Sequence, residues 1–206
     1  MLDDKGFDLW ADGYDQSVGL CEEAGEYPFA GYKNVLNEIY RTIHKKKQAR
    51  ILDIGFGTGT LTKRLYDDGY EIFGVDFSAR MLEIAKKKMP NAVLVQHDFT
   101  KGLQEALLSE SFDYIISTYA LHHLTDAEKT NLIKQCKTCM SDDGMILIGD
   151  VAFETRMNLN ICKDKSKDQW DTDETYIVFE ELKQHFRGQK MSFREISHCA
   201  GIVSLM

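Results

Sequence analysis

The sequence predicts an α/β fold in which a mostly parallel sheet carries helices on both faces. Three observations support this: short apolar runs rich in β-branched residues, helical periodicity between them, and a glycine-rich turn directly after the first run. The runs at residues 50–54, 71–76, 92–96, 112–118 and 145–151 read as buried strands.

The elements follow in order. Tyr32, Val35, Leu36, Ile39 and Ile43 lie on one face of an amphipathic helix ahead of the first strand. Leu61 and Leu65 give a second helix, stopped at Gly69. Ser78 caps a third, carrying Met81, Leu82 and Ala85, with Pro90 past its end. Thr125 and Glu128 form a capping box ahead of Leu132, Ile133 and Cys136, and Gly144 closes that segment. Residues 153–172 read as polar and irregular, and Tyr176, Phe179, Leu182 and Phe186 give another helical face. The chain closes on a hairpin signal, with strands at 191–198 and 202–206 around a turn at Cys199, Ala200 and Gly201. No linker or repeat divides residues 1–206, which read as one domain.

Composition narrows the function. At 206 residues, 43% hydrophobic and 28% charged, the chain reads as a globular protein with a sizeable core. Its apolar runs are too short to span a bilayer, and the opening MLDDKGFDLW lacks a signal-peptide pattern, so a cytoplasmic protein is expected. A net charge of −8 disfavours a nucleic-acid partner, and the lysine runs at 45–47 and 86–88 read as solvated helix ends. Cys136 and Cys139 form a CxxC inside a helix with no second pair to complete a zinc site, so free thiols are expected. His97 and Asp98 are adjacent at a strand end and point to opposite faces, and no metal site is read.

The most informative segment is ILDIGFGTG, residues 51–59. A buried strand runs into Gly55, Gly57 and Gly59, whose missing Cβ atoms let a ligand approach the backbone at the sheet edge where α/β proteins bind ligands. Dinucleotide sites use G-x-G-x-x-G, whereas here Thr60 occupies the matching position and the third glycine comes one residue early. Asp53 would repel a diphosphate and attract an ammonium, which favours S-adenosylmethionine (SAM). Asp76, ending the second strand, is placed to accept ribose hydroxyls, and Asp98 the adenine amino group, with Phe99 at the ring edge.

The segments ILDIGFGTG, FGVDFS, QHDFT and FDYIISTYALHHL resemble the successive motifs of class I SAM-dependent methyltransferases, from about residue 7 to the end. FDLWADGYD, FAGYKNVL and STYALHHLTDAEK are more narrowly similar to small bacterial methyltransferases of mostly unassigned substrate. The resemblance implies a Rossmann-like three-layer sandwich of seven strands, order 3-2-1-4-5-7-6, with strand 7 antiparallel. It implies SAM contacts from Gly55, Asp76 and Asp98, and S-adenosylhomocysteine as product. Asp53, Phe56, Gly57, Gly59, Phe77, Phe99, Ser117 and Tyr14 complete the expected cofactor set, Tyr14 matching the tyrosine of the family's N-terminal YD motif.

Residues after the fourth strand should face the methyl group: Ser117, Thr118, Tyr119, Leu121, His122 and His123. The Asn/Asp-Pro-Pro-aromatic tetrad of enzymes acting on exocyclic nucleobase amines is missing there, which points to other acceptors, and a small soluble one is expected. His122, His123 and Tyr14 are the candidate catalytic groups, a histidine being able to take a proton near neutral pH. Residues 1–35 and about 153–175 are expected to form the lid, with Trp10, Tyr27, Phe29, Tyr32 and Trp170 as candidate lining. A SAM-binding module without transfer activity and a nucleic-acid methyltransferase are the alternatives. The oligomeric state is left open.

Overall fold

The computed structural model describes residues 25–206. In chain order the elements are α1 (Tyr32–Ile43), β1 (Arg50–Ile54), α2 (Thr60–Asp67), β2 (Glu71–Asp76), α3 (Ala79–Lys88), β3 (Val93–Gln96), α4 (Glu105–Leu108) and β4 (Phe112–Thr118). Then come α5 (Asp126–Thr138), β5 (Met140–Phe153), α6 (Arg156–Lys165), β6 (Ile177–Val178), α7 (Phe179–Leu182), β7 (Met191–Glu195) and β8 (Ala200–Leu205).

The sheet runs β3-β2-β1-β4-β5-β8-β7, with β8 antiparallel to both neighbours. The seven expected strands therefore lie in the expected order. The two-residue β6 is an addition off that path, pairing in parallel with Ala152 and Phe153 of β5.

Strand alternation sorts the core into two layers. Ile51 of β1, Ile116 of β4 and Leu147 of β5 face a cluster built with Val35 and Ile39 of α1 and Leu65 of α2. Leu52 and Ile54, Ile115, and Ile146 and Ile148 face the opposite cluster, built with Leu132, Ile133 and Cys136 of α5. Successive strand side chains point to opposite faces, so a fully apolar strand demands helices on both.

The local signals that start helices act as expected. Ser78 Oγ accepts from Met81 N, and Thr125 and Glu128 close a reciprocal capping box on α5. Four expectations need correction. Gly144 does not close α5, which ends at Thr138; it lies inside β5, where a Cβ would fall 2.8 Å from Ser141 O. Residues 153–172 are not irregular throughout: Thr155 caps α6, whose inner face is only Leu159 and Cys162, too sparse to show as periodicity. The face from Tyr176 to Phe186 divides into β6, the single turn α7 and a 3-10 turn, because Ile177 and Val178 pair with β5. The final turn falls at residues 196–199, where Ser197 Oγ accepts from Cys199 N at 3.3 Å and Ala200 N at 3.1 Å. A hydroxyl-closed turn of this kind takes the bend and frees Ala200 and Gly201 to join β8.

Candidate active site

One cleft opens where β1, β2, β4 and β5 end, the edge at which open α/β sheets bind ligands. Its cavity of about 310 Å³ is small-molecule scale. Along the strand order it passes from Asp76, Phe77 and Phe99, across the turn at Gly55–Thr58, to Thr118, Tyr119, His122 and His123. Phe29 and Tyr32 from before β1, and Asp171 and Glu174 from after α6, cover the second end.

The glycine turn is built as the spacing predicts. Gly55, Gly57 and Gly59 have φ of 73°, 57° and 81°, a region that side chains disfavour. Gly55 N donates to Val75 O at 2.7 Å, locking the turn to β2. A Cβ on Gly57 would meet nothing within 4 Å, so this residue leaves open space at a lining position.

Asp76 is buried at the end of β2. Its Oδ2 accepts from Gly57 N at 2.8 Å and its Oδ1 from Ser78 N at 2.9 Å. A carboxylate oxygen can accept two hydrogen bonds, so such a group suits hydroxyl donors. Phe77 and Phe99, edge to face with centroids 6.1 Å apart, give an apolar wall beside it. A backbone cradle, an acceptor carboxylate and an apolar wall fit the sugar and base of SAM.

The other predicted cofactor residues stand back from this surface. Asp53 is 1% exposed, with Oδ2 accepting from Thr62 Oγ1 at 2.5 Å, and Thr62 rather than Asp53 lines the cleft. Ser117 is turned into the sheet and donates to Ile54 O at 2.8 Å. Gly59 serves as the N-cap of α2. Asp98 caps its own 3-10 turn through Thr100 N and Thr100 Oγ1 and pairs with Lys101. These four are not among the lining residues, whereas Gly55, Phe56, Gly57, Asp76, Phe77 and Phe99 are. Tyr14 and Trp10 lie outside the described residues.

Burial pushes the Asp53 carboxyl up to about 7, a rise that the nearby Asp76 charge reinforces and the Thr62 hydrogen bond opposes. Folded and unfolded chains both hold this proton below about pH 4, and only the folded chain holds it as the pH approaches 7. Stability is therefore greatest at the acid end of this window and falls as pH rises through it. In urea denaturation from pH 4 to 7, Asp53→Asn should remove a decline on the order of 3 kcal/mol. Equal slopes in the two proteins would refute the assignment.

At the other end, His122 Nδ1 lies 2.6 Å from Oδ1 of Asp150, which is fully buried. Asp150 also accepts from Leu121 N at 3.0 Å, His122 N at 3.3 Å and Val151 N at 2.7 Å. Burial raises the Asp150 carboxyl, but the charge and hydrogen bond of His122 and the Val151 N–H outweigh it and hold it below the usual range. Burial likewise opposes charge on His122, and Asp150 followed by Glu174 reverses it, raising its pKa. Burial and the adjacent His122 charge push His123 down to about 3.

Of the expected lining aromatics, Phe29 and Tyr32 face the cleft beside Tyr119, whose φ of 50° turns it out of the line of β4. Tyr27 and Trp170 instead stack on each other with centroids 5.0 Å apart, and Tyr176 packs edgewise on both. They join the segment before α1 to the one before β6 without lining the cleft. Sequence reasoning missed Asp150, Asp171 and Glu174. A signal existed for the first: one acid inside the apolar run MILIGDVAF must have buried partners. Asp171 and Glu174 sit in an acidic stretch that gave no such sign.

Cys136 and Cys139 are free and buried, and burial raises both thiols, Cys139 to about 11, as expected of inert thiols. No helix among the described residues is long and apolar enough to cross a membrane.

Comparison with known proteins agrees with this geometry. A family model described as a methyltransferase domain matches residues 51–144. An uncharacterized methyltransferase of Oceanobacillus iheyensis is 39% identical over 150 residues, 73% of this chain and 67% of the relative. Another from Staphylococcus carnosus is 31% identical over 197 residues, 95% of this chain and 88% of the relative. Among solved structures, DhpI in complex with SAH superposes with a TM-score of 0.72 at 16% identity, covering 98% of this chain and 94% of that one. A TehB-like SAM-dependent methyltransferase from Corynebacterium glutamicum gives 0.63 at 19% identity, covering 95% and 97%. Glycine turn, strand order and relatives converge, and the chain belongs to the class I SAM-dependent methyltransferases.

Proposed function

We propose that this methyltransferase acts on a small soluble acceptor, in the cytoplasm, with residues 1–206 forming one domain. The observation that carries the reading is the single cleft that joins the glycine turn and Asp76 to His122 and His123 without a lysine or arginine among its described lining residues. A polyanionic nucleic acid needs such cations. When bound, SAM supplies a methyl group activated by its sulfonium. Gly55, Phe56, Gly57, Asp76, Phe77 and Phe99 would hold it, with Asp53, Gly59 and Ser117 supporting the turn from behind and Asp98 fixing the loop that carries Phe99.

The acceptor side is the end covered by Phe29, Tyr32 and Tyr119. Aromatic walls there exclude water and restrict the acceptor's approach, which is most of what an in-line displacement asks of a protein. The candidates to take the acceptor's proton are His122 and His123, together with Tyr14 outside the described residues. Residues 25–35 and 153–175 form the described part of the lid in this reading, supported by the contact of Tyr27 with Trp170, while residues 1–24 of that expected lid lie outside the described residues.

Asp76→Ala tests the cofactor half. Losing hydrogen bonds to a buried carboxylate, and the brace on Gly57 N, should weaken SAM binding about 100-fold by calorimetry. An unchanged affinity would refute the site. The acceptor half is tested by incubating protein, SAM and a metabolite extract, with mass detection of products heavier by one CH₂. S-adenosylhomocysteine formation that requires nucleic acid instead would overturn the small-acceptor reading.

A further inference from the structure

We propose that His122, His123 and Glu174 form a site for a divalent first-row transition metal of the zinc type at the acceptor end of the cleft. One donor atom from each residue lies within 4.8 Å of the other two. Glu174 Oε1 is 3.6 Å from His122 Nε2 and 3.8 Å from His123 Nδ1. These separations are too long for hydrogen bonds. Ligands at 2.0–2.1 Å around a tetrahedral zinc sit about 3.3 Å from one another, so small side-chain rotations bring Glu174 to each imidazole.

The chemistry of the set is specific. Two imidazoles and one carboxylate are the donors of open zinc sites that keep a fourth position for water or substrate. All three residues line the cleft, so that fourth position opens towards the acceptor. The outer contacts also suit a metal. Asp150 accepts the His122 Nδ1 proton, which fixes the ring orientation with Nε2 on the side of Glu174. Glu174 Oε2 accepts from the Tyr176 hydroxyl at 2.8 Å, which leaves Oε1 for the imidazoles. Thr175 N donates to His122 O at 2.9 Å, tying the two ligand segments together. The sequence reading found no metal because Glu174 is remote along the chain from the histidine pair. With a metal bound, the two imidazoles coordinate it instead of taking the acceptor's proton, so the site gives them a different role from that of a base.

The test uses the full chain stripped of metal by chelator and dialysis. Zn²⁺ is titrated by calorimetry, and Co²⁺ by its visible ligand-field absorption. We expect one site per chain with a dissociation constant of about 1 μM or tighter, and a Co²⁺ spectrum of low coordination number. Glu174→Gln and His123→Ala should each weaken Zn²⁺ at least about 10-fold, while His198→Ala, at an exposed histidine outside the cleft, should not. The Co²⁺ spectrum of the unaltered protein reports ligation even where a variant folds poorly. No stoichiometric binding, or binding unaffected by Glu174→Gln, would overturn the proposal. SAM affinity, measured on the same metal-free sample, reports separately on the methyltransferase reading.

Discussion

Asp150→Ala should lower the unfolding free energy by about 4 to 5 kcal/mol, enough to leave the variant partly unfolded at 37 °C. Asp150 is completely buried near the carboxyl end of β5, and four groups converge on its two oxygens. Three are backbone N–H donors of Leu121, His122 and Val151, and the fourth is the His122 imidazole. Truncation leaves several buried donors without an acceptor and one buried imidazole without its counter-charge, and each loss carries a desolvation cost. The shape cost is smaller, since only a short side chain is removed. Urea denaturation of metal-free protein gives the number, and a loss below about 1.5 kcal/mol would show that water or backbone movement replaces the carboxylate. Asp150→Asn should cost roughly half as much, because an amide oxygen still serves two of the donors.

This network also explains why the acceptor half of the site was hard to read in advance. The loop after β4 is held by an acid from the next strand, and from after α6 Thr175 N donates to His122 O while Glu174 and Tyr176 lie beside the His122 ring. Lys129 shows the same dependence on tertiary structure. It lies on a polar-looking helix, yet it is buried and donates to Leu124 O at 2.5 Å and Thr175 O at 2.6 Å, joining α5 to the segment before β6. Periodicity cannot reveal such a lysine, because the carbonyls that satisfy it come from loops.

The cofactor half was legible because its chemistry is local. Glycine at 55, 57 and 59 reports backbone angles directly, and Asp76 follows from the end of an apolar strand. The same logic does not foresee that the short polar side chains of Asp98 and Ser117 bond to nearby hydroxyl or backbone groups. A residue type at a strand end thus locates the edge where ligands gather, and local hydrogen bonding decides which side chains are left to meet them.

Gly55→Ala should be the most damaging single-methyl change in the glycine turn, and comparison with Gly57→Ala separates folding from binding. Both residues have positive φ, so each alanine carries about 1–2 kcal/mol of backbone strain. They differ in what the new methyl meets. At Gly55 it would fall 2.3 Å from the Cβ of Ala120, an atom fixed to the backbone of the loop after β4. No rotamer relieves that contact, so either the loop or the β1–α2 turn must shift. The Gly55 N to Val75 O hydrogen bond resists movement of the turn, while Asp150 holds the loop through Leu121 N and His122 N. Overpacking against two braced segments adds about 2–3 kcal/mol, for a total of about 3–5 kcal/mol. At Gly57 the methyl enters open space in the cleft, so stability should drop by no more than the strain while SAM affinity falls at least about 10-fold. Denaturation and calorimetry on both variants read the two effects. Equal stability losses would mean that Ala120 yields, and an unchanged SAM affinity in Gly57→Ala would mean that the cofactor does not approach the turn at that residue.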